Sequence, residues 1–461
     1  MKISRYNHVT TSFFDGKYLA FNALSGVYQE LDEEGLDEFE NLLAAAADGL
    51  PLPQSPLQVR LLEGGFVVED DRDELGEVRS RYRDRRGDTR GMSLTIAPTI
   101  SCNFGCGYCF QSHSKKRMGE AEIEALVEFV AEKLVPGTYL GITWFGGEPL
   151  AAFDAIEVLA VRLKALAESR DCRFSHAIIT NGYLLTPEKA KFLASIPEFE
   201  YAQITLDGKP EEHDKRRPTL AGQGTFDRIV ENLQKVADLL PISIRVNVDR
   251  SNAGSLSILL DTLAAADLAG RVNVYLGHVW DYTAEVEQSP FLTFEEFAAL
   301  EARFKLLKFR KGFGASSRLP NPRVGGLCVA DHPNGWVVGP TGLLFKCWNE
   351  VHEDAEAASG VLPGRETACG GCNKDVLNTN EEEWNRYDPF THKPCETCAV
   401  APLCMSGCPW ESAKSGSDET GFCSSYRFNL ADDLRLYDLS RTVAEGMKEA
   451  EIGAVDEKLP A

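Results

Sequence analysis

The sequence has no apolar run long enough to cross a membrane, which takes about 20 residues as a helix. Residues 1–5 also lack the apolar core that follows the start of a signal peptide. Basic residues are few: 48 Lys and Arg stand against 70 Asp and Glu, for a formal net charge of −22. Because nucleic-acid binding requires basic patches, we expect a cytoplasmic protein that contacts neither membranes nor nucleic acids.

Cysteine is missing from most of the chain. Of the 13 cysteines, only Cys172 lies outside two groups, one within residues 102–109 and one after residue 327. In a cytoplasmic protein such grouping indicates metal sites rather than disulfides. Cys172 is interpreted as a small residue without a role in cofactor binding. The length of 461 residues predicts about three domains, and an apolar share of 43% is ample for their cores.

The first cysteine group has the spacing C-x3-C-x2-C. Cys102, Cys106 and Cys109 follow an apolar segment, residues 94–97, that predicts a strand. Three thiolates in one loop can bind a four-iron cluster and leave its fourth iron open to an outside ligand. A zinc site requires a fourth protein ligand, and His113 keeps that alternative open.

Between residues 92 and 309 the sequence alternates between predicted strands and predicted helices. The strands are residues 94–97, 139–145, 174–180, 201–206, 242–248 and 271–276. The helices are residues 120–134, 155–168, 187–196, 226–239, 255–266 and 294–309. Such alternation predicts an α/β fold with parallel strands, in which ligands bind at the carboxyl ends of the strands. The cysteine loop follows the first strand and therefore lies where chemistry is expected.

Two motifs accompany this loop. Tyr108 precedes the last cysteine, and Gly146-Gly147-Glu148-Pro149 follows the second predicted strand. Together with the cysteine spacing, these residues resemble the radical S-adenosylmethionine (SAM) enzymes. The resemblance implies a partial, open (β/α)6 barrel over residues 92–310. In it the three cysteines would hold a four-iron cluster that chelates SAM and cleaves it to a 5′-deoxyadenosyl radical.

The same resemblance implies individual SAM contacts. The G-G-E-P turn would bind the methionyl amino group, since glycines let the backbone approach closely and a carboxylate or carbonyl accepts hydrogen bonds from an ammonium. Residues 205–217 resemble the DG…HD-x-x-R stretch of the family, in which Arg217 would pair with the SAM carboxylate and Arg216 is its rival. The other implied contacts are Tyr108, Asn181, Thr205 and Asn247. For the last three, hydrogen bonding at strand ends is an equally good interpretation.

From about residue 310 the sequence turns to loops, glycines and cysteines. Gly342 and Cys347 form a G-x4-C motif, and four later cysteines follow C-x2-C-x5-C-x3-C. This pattern resembles the SPASM extension, a loop-rich domain with two auxiliary four-iron clusters, here residues 311–461. The resemblance assigns to the first auxiliary cluster Cys328, Cys347 and Cys408. It assigns to the second Cys395, Cys398, Cys404 and Cys423. Residues 424–449 predict a terminal helix.

The first auxiliary cluster lacks a fourth thiolate in this assignment. Cys369 and Cys372, in a glycine-rich stretch, are the candidates. One of them closes the cluster, or the open iron binds a cysteine of the substrate. A third interpretation leaves both thiols unligated.

Residues 1–91 predict a small separate domain. A hairpin with an Asp15-Gly16 turn is followed by a helical pattern and a short strand at residues 66–68. Residues 79–90 are charged and are interpreted as a linker. The outline resembles the winged-helix-like domains that recognise precursor peptides by adding the leader as a strand to an open sheet edge. The alternative is a domain that only packs against the barrel.

The resemblance favours an oxidoreductase that matures a ribosomally made precursor peptide. It implies hydrogen abstraction followed by a thioether or carbon–carbon crosslink, with SAM, three four-iron clusters and a reductant such as flavodoxin or ferredoxin. No side chain is singled out as the general base.

Two other functions compete with peptide crosslinking. Anaerobic sulfatase maturation, the oxidation of Cys or Ser to formylglycine, resembles the chain through the same clusters. Its enzymes have an Asp directly after the residue that corresponds to Cys347, whereas this sequence has Trp348. The third hypothesis is a non-catalytic iron–sulfur electron carrier or a peptide-binding protein, in which an open iron has no use.

Overall fold

The computed structural model describes residues 1–52, 54–111, 114–279, 291–314, 318–323, 328–351, 357–365, 374–391, 393–405, 407–414 and 423–444. The first part of the chain contains five short strands and three helices: β1 Lys2–Ile3, β2 Asn7–Thr11, β3 Tyr18–Asn22, β4 Tyr28–Leu31, α1 Glu33–Ala47, α2 Pro56–Glu63, β5 Val67–Val68 and α3 Glu74–Gly87. Strands β2, β3 and β4 form an antiparallel sheet, while β1 pairs with β5.

The predicted hairpin is present and the predicted linker is not. Gly16 adopts the left-handed conformation that its turn requires (φ +69°), and β2 and β3 pair on either side of it. Residues 79–87, interpreted from their charge as a linker, belong instead to α3. The linker prediction is wrong because Val78 and Tyr82, one helical turn apart, form a buried stripe among the arginines.

The central part of the chain contains the six predicted parallel strands: β6 Met92–Ile96, β7 Tyr139–Trp144, β8 Arg173–Thr180, β9 Phe199–Thr205, β10 Ile242–Val248 and β11 Val272–His278. They pair in sequence order, each parallel to the next. The helices between and after them are α4 Glu120–Lys133, α5 Phe153–Ser169, α6 Pro187–Ser195, α7 Pro210–Arg216, α8 Phe226–Val236, α9 Leu256–Ala265 and α10 Phe294–Arg310. The α/β prediction is confirmed, and only the short α7 was not predicted.

The two faces of this sheet differ in polarity. In β7 the apolar residues Leu140, Ile142 and Trp144 are buried in the core, while Tyr139 and Thr143 alternate with them and are half-buried. Strands β6, β8 and β9 contribute further hydroxyl groups to the inner face. These groups line a cavity of about 820 Å³ inside the partial barrel. The cavity on the inner face therefore suits a polar ligand, whereas the outer face of the sheet packs into the hydrophobic core.

The C-terminal part of the chain adds three strands to the central sheet, whereas the sequence predicted a loop-rich domain there. Its elements are β12 Gly335–Val338, β13 Leu343–Phe345, β14 Gly360–Val361, α11 Lys374–Arg386, α12 Lys393–Thr397, α13 Ala401–Cys404, α14 Pro409–Lys414 and α15 Tyr426–Ala444. Strand β12 pairs parallel to β6, and β13 and β14 follow antiparallel, which gives nine strands in all. The described part of the predicted terminal helix is α15. No helix among the described residues is both long and apolar enough to span a membrane.

Two helices attach the N-terminal sheet to the rest of the molecule. On α3, the ring of Tyr82 packs edge-on against Phe390 with 5.7 Å between centroids, and its hydroxyl donates to the buried Asp331. Helix α15 lies against both α10 and β2, where Leu306 and Leu436 share a small core with Phe13. The N-terminal strands are thus packed on two sides.

Replacing Tyr82 should loosen this attachment. Tyr82→Ala removes a fully buried ring and leaves Asp331 without its hydroxyl partner, so we expect a loss of about 3–5 kcal/mol in the free energy of unfolding. Urea-induced unfolding followed by circular dichroism measures it. The control is Arg83→Ala on the same helix, which breaks an exposed ion pair with Asp388 and should cost less than about 1 kcal/mol. Equal effects of the two substitutions would contradict the packing described here.

Candidate active site

The cysteine loop after β6 is held along both of its sides by backbone hydrogen bonds. On one side the amides of Gly147 and Glu148 donate to the carbonyls of Thr99 (3.2 Å) and Ser101 (2.9 Å). On the other side the segment after α7 pairs with the loop, with Gly105 N–H donating to Pro218 O at 2.9 Å. The positions of the three sulfurs are therefore fixed by backbone contacts to the ends of neighbouring strands.

Two glycines make the first of these contacts possible. Gly146 has φ +122°, and a Cβ there would lie 2.2 Å from the carbonyl oxygen of Thr99. A Cβ on Gly147 would lie 2.4 Å from the carbonyl oxygen of Ser101. Any side chain would push the turn off the cysteine loop, so the close approach predicted for the G-G-E-P motif is an approach to the protein's own backbone.

Glu148 is fully buried and connects adjacent strand ends. Its carboxylate accepts hydrogen bonds from Leu150 N (3.0 Å), Thr180 Oγ1 (2.6 Å) and Asn181 N (2.8 Å). Burial raises the pKa of this carboxyl, and the three donors oppose that shift. These donors occupy both oxygens. A SAM contact by Glu148 remains a prediction, and the neighbouring Pro149 begins the short turn that follows.

Asn181 lies directly beside the first cysteine. Its side-chain nitrogen donates to Asn103 Oδ1 at 2.9 Å and lies 3.9 Å from Cys102 Sγ. The amide of Phe104 also points at that sulfur, at 3.4 Å. Thr205, at the end of β9, is buried and faces Arg245 in the register of β10. The side chain of Asn181 thus lies beside the sulfur of Cys102, a contact that the position of Asn181 at the end of a strand did not predict.

A buried polar network joins the loop to the opposite strands. The hydroxyl of Tyr108 donates to Asp207, which also accepts from the amide of Asn247 at 2.9 Å. Arg217 donates to the same hydroxyl, and the side chain of Asn247 lies 3.2 Å from it. Asp207 is completely buried. Sequence motifs indicated most of these residues, but they gave no signal that Tyr108 connects them.

The two rival arginines have different partners. Arg216 pairs with Asp249 at 2.6 Å and approaches Asp207 at 3.7 Å, so its charge is balanced by carboxylates. The Nε of each arginine is buried without a hydrogen-bond partner, so this atom does not distinguish the two. They differ in their other contacts, because Arg216 has carboxylate partners whereas Arg217 donates to the hydroxyl of Tyr108. That Arg217 rather than Arg216 meets the SAM carboxylate remains a prediction.

The residues of this loop fit a bound cluster and an organic ligand. Burial raises the pKa of Cys102 to about 12 and also raises that of Cys106, so these thiols need a cationic group to become thiolates at neutral pH. Besides Arg217 Nε, the buried nitrogens Asn103 Nδ2 and Gln111 Nε2 lack partners. His113 lies outside the described residues. No group of three Cys, His, Asp or Glu side chains among the described residues is arranged for a single metal ion, and the zinc alternative, which depends on His113, stays open.

The later cysteines come together in two places. Cys395, Cys398, Cys404 and Cys423 line one small cavity. Burial, followed by the proximity of the other three, raises the pKa of Cys395 to about 12. The structure thus unites the four cysteines that the SPASM resemblance grouped together.

The first auxiliary set is incomplete in the part of the chain that is described. Cys328, Cys347 and Cys408 lie near one another, and burial raises the pKa of Cys328 to about 11. Cys369 and Cys372 lie outside the described residues, so the choice between them stays open. Trp348, next to Cys347, packs on Phe145 with 4.9 Å between ring centroids, and its indole N–H donates to Thr95 Oγ1 at 3.0 Å.

Comparisons with known proteins agree with this geometry. A model of the radical SAM superfamily matches residues 96–251. The radical SAM cyclopropyl synthase TigE of Paramaledivibacter caminithermalis is 30% identical over 151 residues, which cover 28% of this chain and 31% of that protein. The serine-type anaerobic sulfatase-maturating enzyme of Klebsiella pneumoniae is 22% identical over 369 residues, covering 72% of this chain and 85% of the relative. The chain spans 37% and 31% of the length of the first two curated relatives it matches.

A solved structure shares the fold. Native anSMEcpe with bound AdoMet and Cp18Cys peptide superposes with a TM-score of 0.56 at 20% sequence identity, covering 77% of this chain and 99% of that one. At this identity the likeness concerns the fold alone. The match supports the partial barrel together with its C-terminal extension.

Removing the hydroxyl of Tyr108 should weaken SAM binding without removing the cluster. Tyr108→Phe leaves Asp207 and Arg217 each without one buried partner, so we expect the Kd for SAM to rise about tenfold, within the usual cost of one hydrogen bond to a charged group. Isothermal titration under anaerobic conditions measures it, with iron content expected to be unchanged.

The matched control for this substitution is Tyr183→Phe. Tyr183 packs edge-on against Phe104 on the same loop, and its hydroxyl is not part of the network. It should leave the Kd unchanged. A Tyr108→Phe variant with normal SAM affinity would show that the network does not position the ligand.

Proposed function

Residues 96–251 form a radical SAM domain, and on that premise we propose that the chain is an enzyme that modifies a ribosomally made precursor peptide. The observation that carries this proposal is the cysteine loop, fixed by backbone contacts and surrounded by buried polar groups that lack partners. SAM on a four-iron cluster supplies the abstraction of a hydrogen atom. The product is a thioether or a carbon–carbon crosslink. The electrons come from a flavodoxin- or ferredoxin-type reductant.

The chain's own residues bind, orient and shield. Tyr108, Asp207 and Arg217 hold the loop and the ligand side of the site, and the buried Glu148 keeps two strand ends together. Trp348 and Phe145 form an aromatic wall toward the auxiliary cysteines. Such a wall excludes water from the reacting centre.

The N-terminal sheet supports a peptide substrate because one of its edges is open. Asn22 N–H donates to Val27 O at 3.0 Å, which makes these two residues a hydrogen-bonded pair of β3 and β4. In an antiparallel ladder such pairs alternate with pairs that are not hydrogen-bonded, so the backbone N–H and C=O groups of Tyr28 and Glu30 point away from β3. Strand β4 pairs only with β3 among the described residues. At the opposite edge, Arg435 Nε donates to Thr11 O at 3.0 Å. A leader peptide would therefore add as a strand beside β4.

Sulfatase maturation is the second candidate function. It is supported by the coverage of the sulfatase-maturating relative, which exceeds that of TigE. The position after Cys347 argues against it: Trp348 offers an indole N–H, already donated to Thr95, where that family has a carboxylate base. Two candidate substrates distinguish the two functions: a peptide from a sulfatase and a precursor peptide encoded beside the gene. Only the true substrate should stimulate the formation of 5′-deoxyadenosine from SAM, and only the true substrate should change in mass.

The proposed cofactors predict a defined iron content. Anaerobically reconstituted protein should hold about 12 iron atoms, four for each of three clusters. Replacing Cys102, Cys106 and Cys109 by Ala should remove about four of them and abolish SAM cleavage. Replacing Cys395 and Cys398 by Ala should remove about four others and leave SAM binding intact. Iron analysis and calorimetry check both, and zinc in place of iron would contradict the proposal.

A proline on the open edge should block leader binding. Glu30→Pro removes an outward N–H that an added strand would use, and proline is tolerated on a sheet edge. We expect the Kd for the precursor peptide to rise about tenfold or more by fluorescence anisotropy. Glu30→Ala is the control, because it loses the same ion pairs with Lys17 and Arg441 and keeps the N–H. Equal affinity of the two variants would place the leader elsewhere.

A further inference from the structure

A cation lines the cavity of the second auxiliary cysteines. Arg427, in the first turn of α15, lines this cavity together with Cys395, Cys398, Cys404 and Cys423. Its Nη1 lies 3.1 Å from the sulfur of Cys423. The guanidinium therefore points at a sulfur that would ligate the second auxiliary cluster.

Among the described residues, no carboxylate lies within ion-pair distance of Arg427, whereas two other arginines of α15 have such partners: Arg435 pairs with Asp432, and Arg441 pairs with Glu30. Its other contact is the ring of Phe428, with the guanidinium 5.9 Å from the centroid. At 3.1 Å the guanidinium and the sulfur of Cys423 are close enough for a thiolate there and the cation to stabilise each other.

A fixed cation at this place has a definite effect on a redox group. Each electron that enters an iron–sulfur cluster adds a negative charge, and a nearby positive charge stabilises the reduced form more than the oxidised form. Hydrogen bonds to the ligating sulfurs act in the same direction. Both effects raise the reduction potential.

We propose that Arg427 raises the reduction potential of the second auxiliary cluster and so makes it the better electron acceptor. This inference rests on the proposed function to the extent that the four cysteines hold a cluster. Arg427 is a positioning residue here, since it acts through Cys423 and touches no substrate. In the proposed reaction one electron and one proton must leave the substrate after hydrogen abstraction, as the crosslink closes. A raised potential increases the driving force for transfer of that electron from the substrate radical to the oxidised cluster, which becomes reduced by one electron.

The test is a redox titration of the full-length protein followed by electron paramagnetic resonance. The background carries Cys102→Ala, Cys106→Ala and Cys109→Ala, so that only auxiliary clusters contribute. A further Cys398→Ser variant identifies the signal of the second cluster. Arg427→Gln should shift that potential downward by a tenfold change in the reduced-to-oxidised ratio, which is about 59 mV for one electron. Arg427→Lys, which keeps the charge, should shift it less.

Arg441→Gln is the matched control, since Arg441 lies on the same helix and pairs with Glu30 instead of a sulfur. It should leave the potential unchanged. Should the Gln variant lose the cluster, Arg427→Met, which also removes the charge, takes its place and should show the same downward shift. An unchanged potential in both Arg427 variants, or an equal shift in the Arg441 variant, overturns the inference while the proposed function stands. Absence of a second auxiliary signal in the background protein overturns this inference and the proposed cofactor content together.

Discussion

The docking of one turn onto one loop is the contact on which the site depends. The G-G-E-P turn after β7 lies against residues 99–101 so closely that neither Gly146 nor Gly147 has room for a Cβ. Because the parallel register of β6 and β7 places these two strand ends side by side, backbone hydrogen bonds hold the start of the cysteine loop against the turn. The hydroxyl of Thr99 adds to this hold, since it accepts from Ser101 N at 3.0 Å.

Two fully buried carboxylates complete this arrangement. Glu148 joins the ends of β7 and β8, while Asp207 joins the cysteine loop to β10 through Tyr108 and Asn247. A buried carboxylate costs free energy unless hydrogen-bond donors surround it, so the donors around Glu148 and Asp207 must stay in place for the fold to be stable. Their partners come from four strand ends. The polar ends of the strands are therefore coupled to one another, and a change at one of them reaches the cysteines.

Local patterns predicted the barrel well and the long-range contacts poorly. The strand Ile242–Val248 was predicted to the residue because its apolar positions alternate and its ends are polar. Helix α3 was missed because only Val78 and Tyr82 among many charges carry its buried stripe. Strand β12 was missed because its partner, β6, lies more than 200 residues earlier, and pairing at that distance leaves no periodicity to detect. For the same reason no motif showed that the hydroxyl of Tyr108 meets Asp207.

The terminal helix α15 contacts the N-terminal sheet, the last helix of the barrel and the second auxiliary cysteines. Asp438 on this helix is completely buried and accepts hydrogen bonds from Ser12 and Lys17 of the N-terminal hairpin, while Asp433 pairs with Lys305 of α10 at 2.7 Å. The first turn of the same helix carries Arg427 at the last cysteine set. The helix is not straight, because Asn429 has non-helical backbone angles (φ −123°, ψ 15°) and separates the turn with Arg427 from the longer segment that contacts the N-terminal hairpin. The side chain of Asn429 donates to Ala298 O at 3.2 Å and to Glu301 Oε2 at 2.9 Å, so the kink itself is bonded to α10. The last helix of the barrel therefore holds both segments of α15, and through them it connects the second auxiliary cysteines with the N-terminal sheet.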